Sequence, residues 1–173
     1  MKEIEILWEN EDLAVINKPA GVVTNRLVVG DESIEEWWGS RGGIVHRLDK
    51  ETTGCLVLAK NPVAVVEMKR LFKAREIHKE YLALVHGRLE PEEGEIRVPI
   101  GRLRGDRKKQ AVRYDGRKAV TGWQVERYYD GFTYVRLFPK TGRMHQIRVH
   151  LAHLKCPVVG DKKYLSRDNS KLI

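Results

Sequence analysis

At 173 residues, with 42% apolar and 32% charged side chains, the chain can bury one sizeable core and fits neither a disordered nor a fibrous class. No apolar run approaches membrane-spanning length, and Met1-Lys2-Glu3-Ile4-Glu5 lacks a signal peptide's apolar core, so a soluble, cytoplasmic, single-domain protein over residues 1–173 is expected. The net charge of +8 divides unevenly: residues 1–96 carry 13 Lys and Arg against 18 Asp and Glu, whereas residues 97–173 carry 19 against 6, which favours a nucleic-acid backbone as partner.

Ile4–Trp8 and Leu13–Asn17 read as two strands of a hairpin across the polar turn Glu9–Asp12, and Pro19 and Gly21 end the second. Ser33–Trp38 suits a short amphipathic helix, followed by a flexible Gly39–Gly43 connection. Cys55–Ala59 is a strand. Pro62–Arg75 is a helix, with Val65, Met68, Leu71 and Phe72 at helical spacing and Pro62 in the first turn, where its missing N–H costs nothing. Lys79–His86, Glu95–Ile100, Gln110–Tyr114, Val120–Tyr128 and Phe132–Phe138 read as strands, Asp130-Gly131 making a tight hairpin between the last two. Arg143–His153 returns to helix, with Ile147, Leu151 and Leu154 on one face. Hairpins interrupted by helices make an α+β fold around a mixed, largely antiparallel sheet.

Between Ile44-Val45 and Cys55–Ala59 the chain places His46-Arg47-Leu48-Asp49. A guanidinium and a carboxylate there are expensive to bury unless paired, so they are a structural ion pair or the centre of a site. The densest basic stretch holds Arg97, Arg102, Arg104, Arg107, Lys108, Lys109, Arg113, Arg117 and Lys118 against Asp106 and Asp115, and reads as a solvated loop or as a contact to a nucleic-acid backbone. Cys55 and Cys156 sit in apolar surroundings without Cys-x-x-Cys spacing and are expected to be buried, reduced thiols. His145, His150 and His153 are spaced by five and three, a poor zinc pattern without nearby Cys or carboxylate ligands, so no metal is expected.

Three separated segments, Asn17-Lys18-Pro19-Ala20-Gly21, His46-Arg47-Leu48-Asp49-Lys50-Glu51-Thr52-Thr53-Gly54 and Thr141-Gly142-Arg143-Met144-His145-Gln146-Ile147-Arg148, resemble the pseudouridine synthases of the RluA type. Lys79-Glu80-Tyr81 through Gly87, and Pro157 through Asp161, extend the resemblance in order over almost the whole chain. It implies an isomerase that breaks the uracil N1–ribose bond, turns the base and rejoins it through carbon, with no cofactor. It assigns the carboxylate near C1′ to Asp49, as a nucleophile or an acid/base group. The resemblance also makes Arg148 the cation that keeps Asp49 ionised, and Tyr81 the ring stacked on the base. Arg47 would fill the gap left by the extruded uridine.

His46, Thr52 and Thr53 are expected to hold the Asp49 loop, the hydroxyls bonding local backbone. Lys18 and Pro19 shape a turn beneath it, and Arg102, Arg104, Arg107, Lys108, Lys109 and Arg143 meet RNA. The implied partner is a uridine-containing stem-loop of tRNA or rRNA, acted on by a monomer. Two competing readings are a catalytically silent RNA-binding or RNA-folding protein and a DNA-acting, base-flipping glycosylase. The family pattern continues past Gly160-Asp161-x-x-Tyr164 into a further strand, so a truncated or natural short form with an exposed sheet edge and a tendency to self-associate is expected.

Overall fold

The computed structural model describes residues 2–26 and 32–165, the Arg107 side chain excepted, and divides the chain into two units, Met1–Ile77 and His78–Ile173. In the first unit the apolar runs form the expected hairpin, β1 (Glu5–Glu9) against β2 (Leu13–Lys18), with Asn10 Oδ1 accepting the Asp12 and Leu13 N–H groups at the turn. Next come α1 (Ile34–Trp38), β3 (Gly43–Ile44), β4 (Gly54–Ala59) and α2 (Pro62–Ala74). The sheet order is β1-β2-β4-β3, antiparallel throughout. Ser33 caps α1 by accepting from the Glu36 N–H. Asn61 caps α2 through the Ala64 N–H, with Pro62 opening the helix as its sequence predicts. Ala64 and Met68 of α2 pack on Val45 and Ala59, with Val65, Leu71 and Phe72 around them.

The Gly39–Gly43 connection is more ordered than its composition suggests. Gly39–Arg41 is a 3-10 turn, Arg41 lies over the Trp37 and Trp38 rings at 4.4 and 4.7 Å, and Gly43 already belongs to β3. Gly42 has no alternative residue: a Cβ there would lie 1.7 Å from the Ala59 carbonyl oxygen. Cys55 departs from its expected burial. Strand alternation turns Leu56 and Leu58 inward and leaves Cys55 exposed, whereas Cys156 is buried and its thiol is pushed up by burial.

The second unit holds β5 (Tyr81–His86), β6 (Glu93–Ile96), β7 (Ile100–Leu103), β8 (Asp106–Val112), β9 (Thr121–Tyr129), β10 (Phe132–Pro139) and α3 (Gln146–His153). β5-β10-β9-β6 form an antiparallel sheet and β7-β8 a separate two-stranded ribbon. Along β10 burial alternates strictly, turning Thr133, Val135, Leu137 and Pro139 inward. Leu151 of α3 joins Val85, Val135, Leu137 and Trp123 in the main core, while Val149 packs on Ile100 and Ala119. Burying Leu151 alone contributes about 1.5–3 kcal/mol, so α3 is fixed between the sheet and the base of the ribbon.

Three expected boundaries shift here, each for a local reason. The run Glu95–Ile100 is two strands, because Pro99 cannot donate to a ladder and the chain turns there. The basic stretch is not a loop: β7 and β8 pair across Arg104-Gly105, Gly105 taking φ +86°, so the strand expected over Gln110–Tyr114 starts at Asp106 and ends at Val112, where the chain turns. Helix α3 begins at Gln146 instead of Arg143, because His145 adopts left-handed φ 55° and ends any helical run before it.

Candidate active site

The Asp49 segment lies in the first unit, between β3 and β4, and its backbone is held from beneath. Leu48 points into the core at 6% exposure, leaving Arg47 exposed and Asp49 half-buried on either side. Thr24, 2% exposed, grips Leu48 at both ends: its Oγ1 accepts the Leu48 N–H at 3.1 Å and donates to the Leu48 carbonyl at 3.0 Å. Thr52 N–H donates to the Asp49 carbonyl at 3.1 Å and closes the turn after it. The hydroxyl that ties the loop is therefore one 24 residues upstream, and Thr52 acts through its amide, not as the sequence suggests.

Lys18 does more than shape a turn. It is wholly buried, and its ammonium donates to the carbonyls of Pro19 (2.8 Å), Val22 (2.9 Å) and Lys50 (3.1 Å), the last immediately after Asp49. Gly21 N–H donates to the same Lys50 carbonyl at 2.9 Å, so the Asn17–Gly21 and Asp49–Lys50 segments are sewn together twice. Burial pulls the Lys18 ammonium down to about 8, against the opposing pull of the Glu51 and Asp49 carboxylates. His46 fixes the other flank: its Nε2 accepts the Val57 N–H at 2.9 Å, so Nδ1 carries the proton, and its ring stacks on Phe72 at 4.5 Å.

In the second unit, Tyr81 opens β5 opposite Leu137 and packs half-buried against the main core. Arg148 lies on α3. Its guanidinium forms a two-pronged pair with Asp161, Nε to Oδ2 at 2.6 Å and Nη2 to Oδ1 at 2.8 Å, and sits 5.0 Å from the Tyr164 ring centre. Burial pushes the Asp161 carboxyl up, but hydrogen bonds from Arg148 and from the Lys163 and Tyr164 N–H groups outweigh it and hold the group below its ordinary range. The Tyr164 hydroxyl accepts the Gln110 N–H at 2.9 Å and meets His145 Nδ1 at 2.6 Å. Arg148 is thus aimed by Asp161 and Tyr164, which carry part of the quoted motif but receive no role from the sequence.

Gln146 sets the start of α3. Its Oε1 accepts from Thr141 Oγ1 (2.6 Å) and Arg143 N–H (3.0 Å), and its Nε2 donates to the Val120 carbonyl (3.0 Å) and Thr121 Oγ1 (2.9 Å). The chain of bonds continues through Thr121 to His150 Nδ1 at 2.9 Å, whose Nε2–H faces the Val98 carbonyl at 3.1 Å. Burial pulls the His150 imidazole down, so it is held neutral by its surroundings, as a structural group. Arg143 Nε donates to the Lys118 carbonyl at 3.1 Å. Arg102, Arg104 and Lys108 are exposed on the ribbon and Lys109 is half-buried, while the Arg107 side chain lies outside the described residues.

No group of His, Cys, Asp and Glu among the described residues is arranged to hold a metal ion. No helix among them is long and apolar enough to cross a membrane.

Residues 12–153 match the family model described as RNA pseudouridylate synthase. The ribosomal large subunit pseudouridine synthase D of Xanthomonas campestris is 40% identical over 173 residues, covering 93% of this chain and 51% of that protein. An uncharacterized RNA pseudouridine synthase of Bacillus subtilis is 38% identical over 175 residues, covering 94% and 58%. The chain therefore spans about half the length of the curated relatives it matches. Among solved structures, the human RNA pseudouridylate synthase domain containing 4 is 30% identical with a TM-score of 0.81, over 96% of this chain and 70% of that one. Motif order, fold and relatives agree, and the chain belongs to the RNA pseudouridylate synthase family as a catalytic domain of the RluA type.

Proposed function

We propose that this protein isomerises uridine in a structured tRNA or rRNA to pseudouridine, in the cytoplasm and as a monomer. The observation that carries the reading is the clamped Asp49 turn: a half-buried carboxylate whose backbone is fixed by Lys18, Thr24 and Thr52, on a segment that matches the family's motif. A carboxylate held this way meets a ribose carbon with little reorganisation. Asp49 serves as nucleophile at C1′ or as the acid/base group that permits elimination. In either case the N1–C1′ bond breaks, the C5–C1′ bond forms, C5 loses a proton and N1 gains one, so the product is an isomer. Tyr81 stacks on the uracil and assists loss of the C5 proton. Arg148, aimed by Asp161, is the cation that the family motif contributes to this chemistry. Arg47, planar and exposed, enters the RNA stack in place of the extruded base.

The test is product analysis on tRNA and on large-subunit rRNA fragments after incubation with the protein. A mass-silent change marked by carbodiimide supports the isomerase. An abasic site would indicate a glycosylase, and unaltered RNA bound tightly would indicate a silent binding protein.

A further inference from the structure

Tyr114 lies in the second unit, in the turn Arg113-Tyr114-Asp115-Gly116 that follows β8. Its side chain is as exposed as an isolated residue's, at 103%, while the backbone beneath it is held on every side. Gly116 N–H donates to the Arg113 carbonyl at 2.9 Å and closes the turn. Arg113 N–H donates to the Pro99 carbonyl, and Arg117 and Ile100 exchange both backbone hydrogen bonds, at 2.8 and 3.0 Å. Gly116 lies so close to Ile100 that a Cβ would come within 2.6 Å of the Ile100 carbonyl carbon. Arg113 is itself pinned: its Nε donates to Asp115 Oδ1 at 2.7 Å and its Nη2 to Oδ2. The loop is a rigid mount for one free ring.

Positive charge surrounds that mount. Arg117 and Lys118 follow it in sequence, both exposed. Arg104, at the tip of the β7-β8 ribbon, is near enough for its charge to act on the Asp115 carboxylate. A phenol wholly in water contributes nothing to the core. An aromatic face set among cations on a stiff turn is the arrangement that binds single-stranded nucleic acid, the cations following phosphate and the ring stacking on a base.

We infer that Tyr114 is a stacking platform for an unpaired base of the substrate RNA, distinct from the uridine being isomerised. The inference rests on the reading of RNA as substrate and adds a contact that neither the family motifs nor the basic residues supply. Base stacking does not change the number of phosphates neutralised, which separates its signature from that of the surrounding arginines.

The test uses an RNA stem-loop that the wild-type protein converts, with Tyr114→Phe, Tyr114→Leu and Tyr114→Ala compared by affinity at several salt concentrations. Stacking predicts that Phe binds within twofold of wild type, while Leu and Ala bind roughly 5- to 100-fold more weakly, with the slope of log affinity against log salt unchanged. 5-Iodouridine placed at each unpaired loop position in turn should give a photo-cross-link to Tyr114 at one position other than the target. Ala within twofold of wild type, Leu binding as well as Phe, or no cross-link to Tyr114 at any position would overturn the platform. If wild type binds the stem-loop with this Tyr114 dependence but converts no uridine, the platform stands and the isomerase reading falls. If conversion proceeds and Tyr114→Ala binds like wild type, the platform falls alone.

Discussion

Replacing Lys18 by Met keeps the aliphatic stem and removes the ammonium, which tests whether this buried lysine holds the Asp49 turn. Three charge-assisted hydrogen bonds disappear, to Pro19, Val22 and Lys50, each worth about 1.5–3 kcal/mol. The Lys50 carbonyl keeps its bond from Gly21 N–H, so its loss falls at the lower end. Against this stands relief from burying a cation. The fall from 10.5 to about 8 corresponds to about 3 kcal/mol. The net expectation is a destabilisation of about 1–4 kcal/mol at pH 7, read from urea unfolding of the two proteins.

The pH dependence gives a second readout. With the folded value near 8 and the unfolded value at 10.5, the unfolded state binds more protons between them, so wild-type stability rises across that window relative to Lys18→Met. The lysine's penalty is fully present below about 8 and gone above 10.5. A variant as stable as wild type at pH 7, with the same pH profile from 8 to 10.5, would refute the clamp.

Asp161→Asn removes the acceptor that aims Arg148 and should cost about 2–4 kcal/mol, less than a fully buried pair because Arg148 is partly exposed; thermal unfolding measures it, and an unchanged Tm would show that Asp161 does not hold Arg148. Because the Asp161 carboxyl is held below its ordinary range, its share of stability is present above about pH 4 and lost below, a component that Asp161→Asn should abolish. His150 sits lower in the folded protein than in the unfolded chain, so its contribution is present above about pH 6.5 and declines in mild acid; His150→Gln should flatten stability between pH 5 and 7. Replacing Arg102, Arg104 and Lys108 by Gln should weaken binding to all RNAs alike and reduce the salt slope by roughly 0.7 for each phosphate no longer neutralised, whereas an unchanged slope would make the ribbon a merely solvated feature.

Local chemistry made part of this structure legible in advance. β10 announces itself by the Asp130-Gly131 turn before it, and α2 by Pro62 and the spacing of Val65, Met68, Leu71 and Phe72. Asp49, Tyr81 and Arg148 were accessible through short motifs. The clamps were hidden, because they join residues far apart: Thr24 to Leu48, Lys18 to Lys50, Gln146 to Val120. No local pattern reports such a pairing. The ribbon was missed because the run of charged residues that opens β8 carries no apolar period, and β3 because two residues are too few to carry one. Asp161 and Tyr164 could have been found by asking what partner a half-buried arginine needs.

The isomerase reading turns on whether Asp49 does chemistry or merely holds the fold. Asp49→Asn nearly preserves shape while removing the charge and any ability to act as anionic nucleophile or base. Pseudouridine formation by this variant, measured beside its Tm and RNA affinity on one preparation, decides between them. A chemical role predicts no turnover, with Tm and affinity close to wild type. Substantial isomerase activity in a well-folded variant, with deamidation excluded by mass spectrometry, contradicts it.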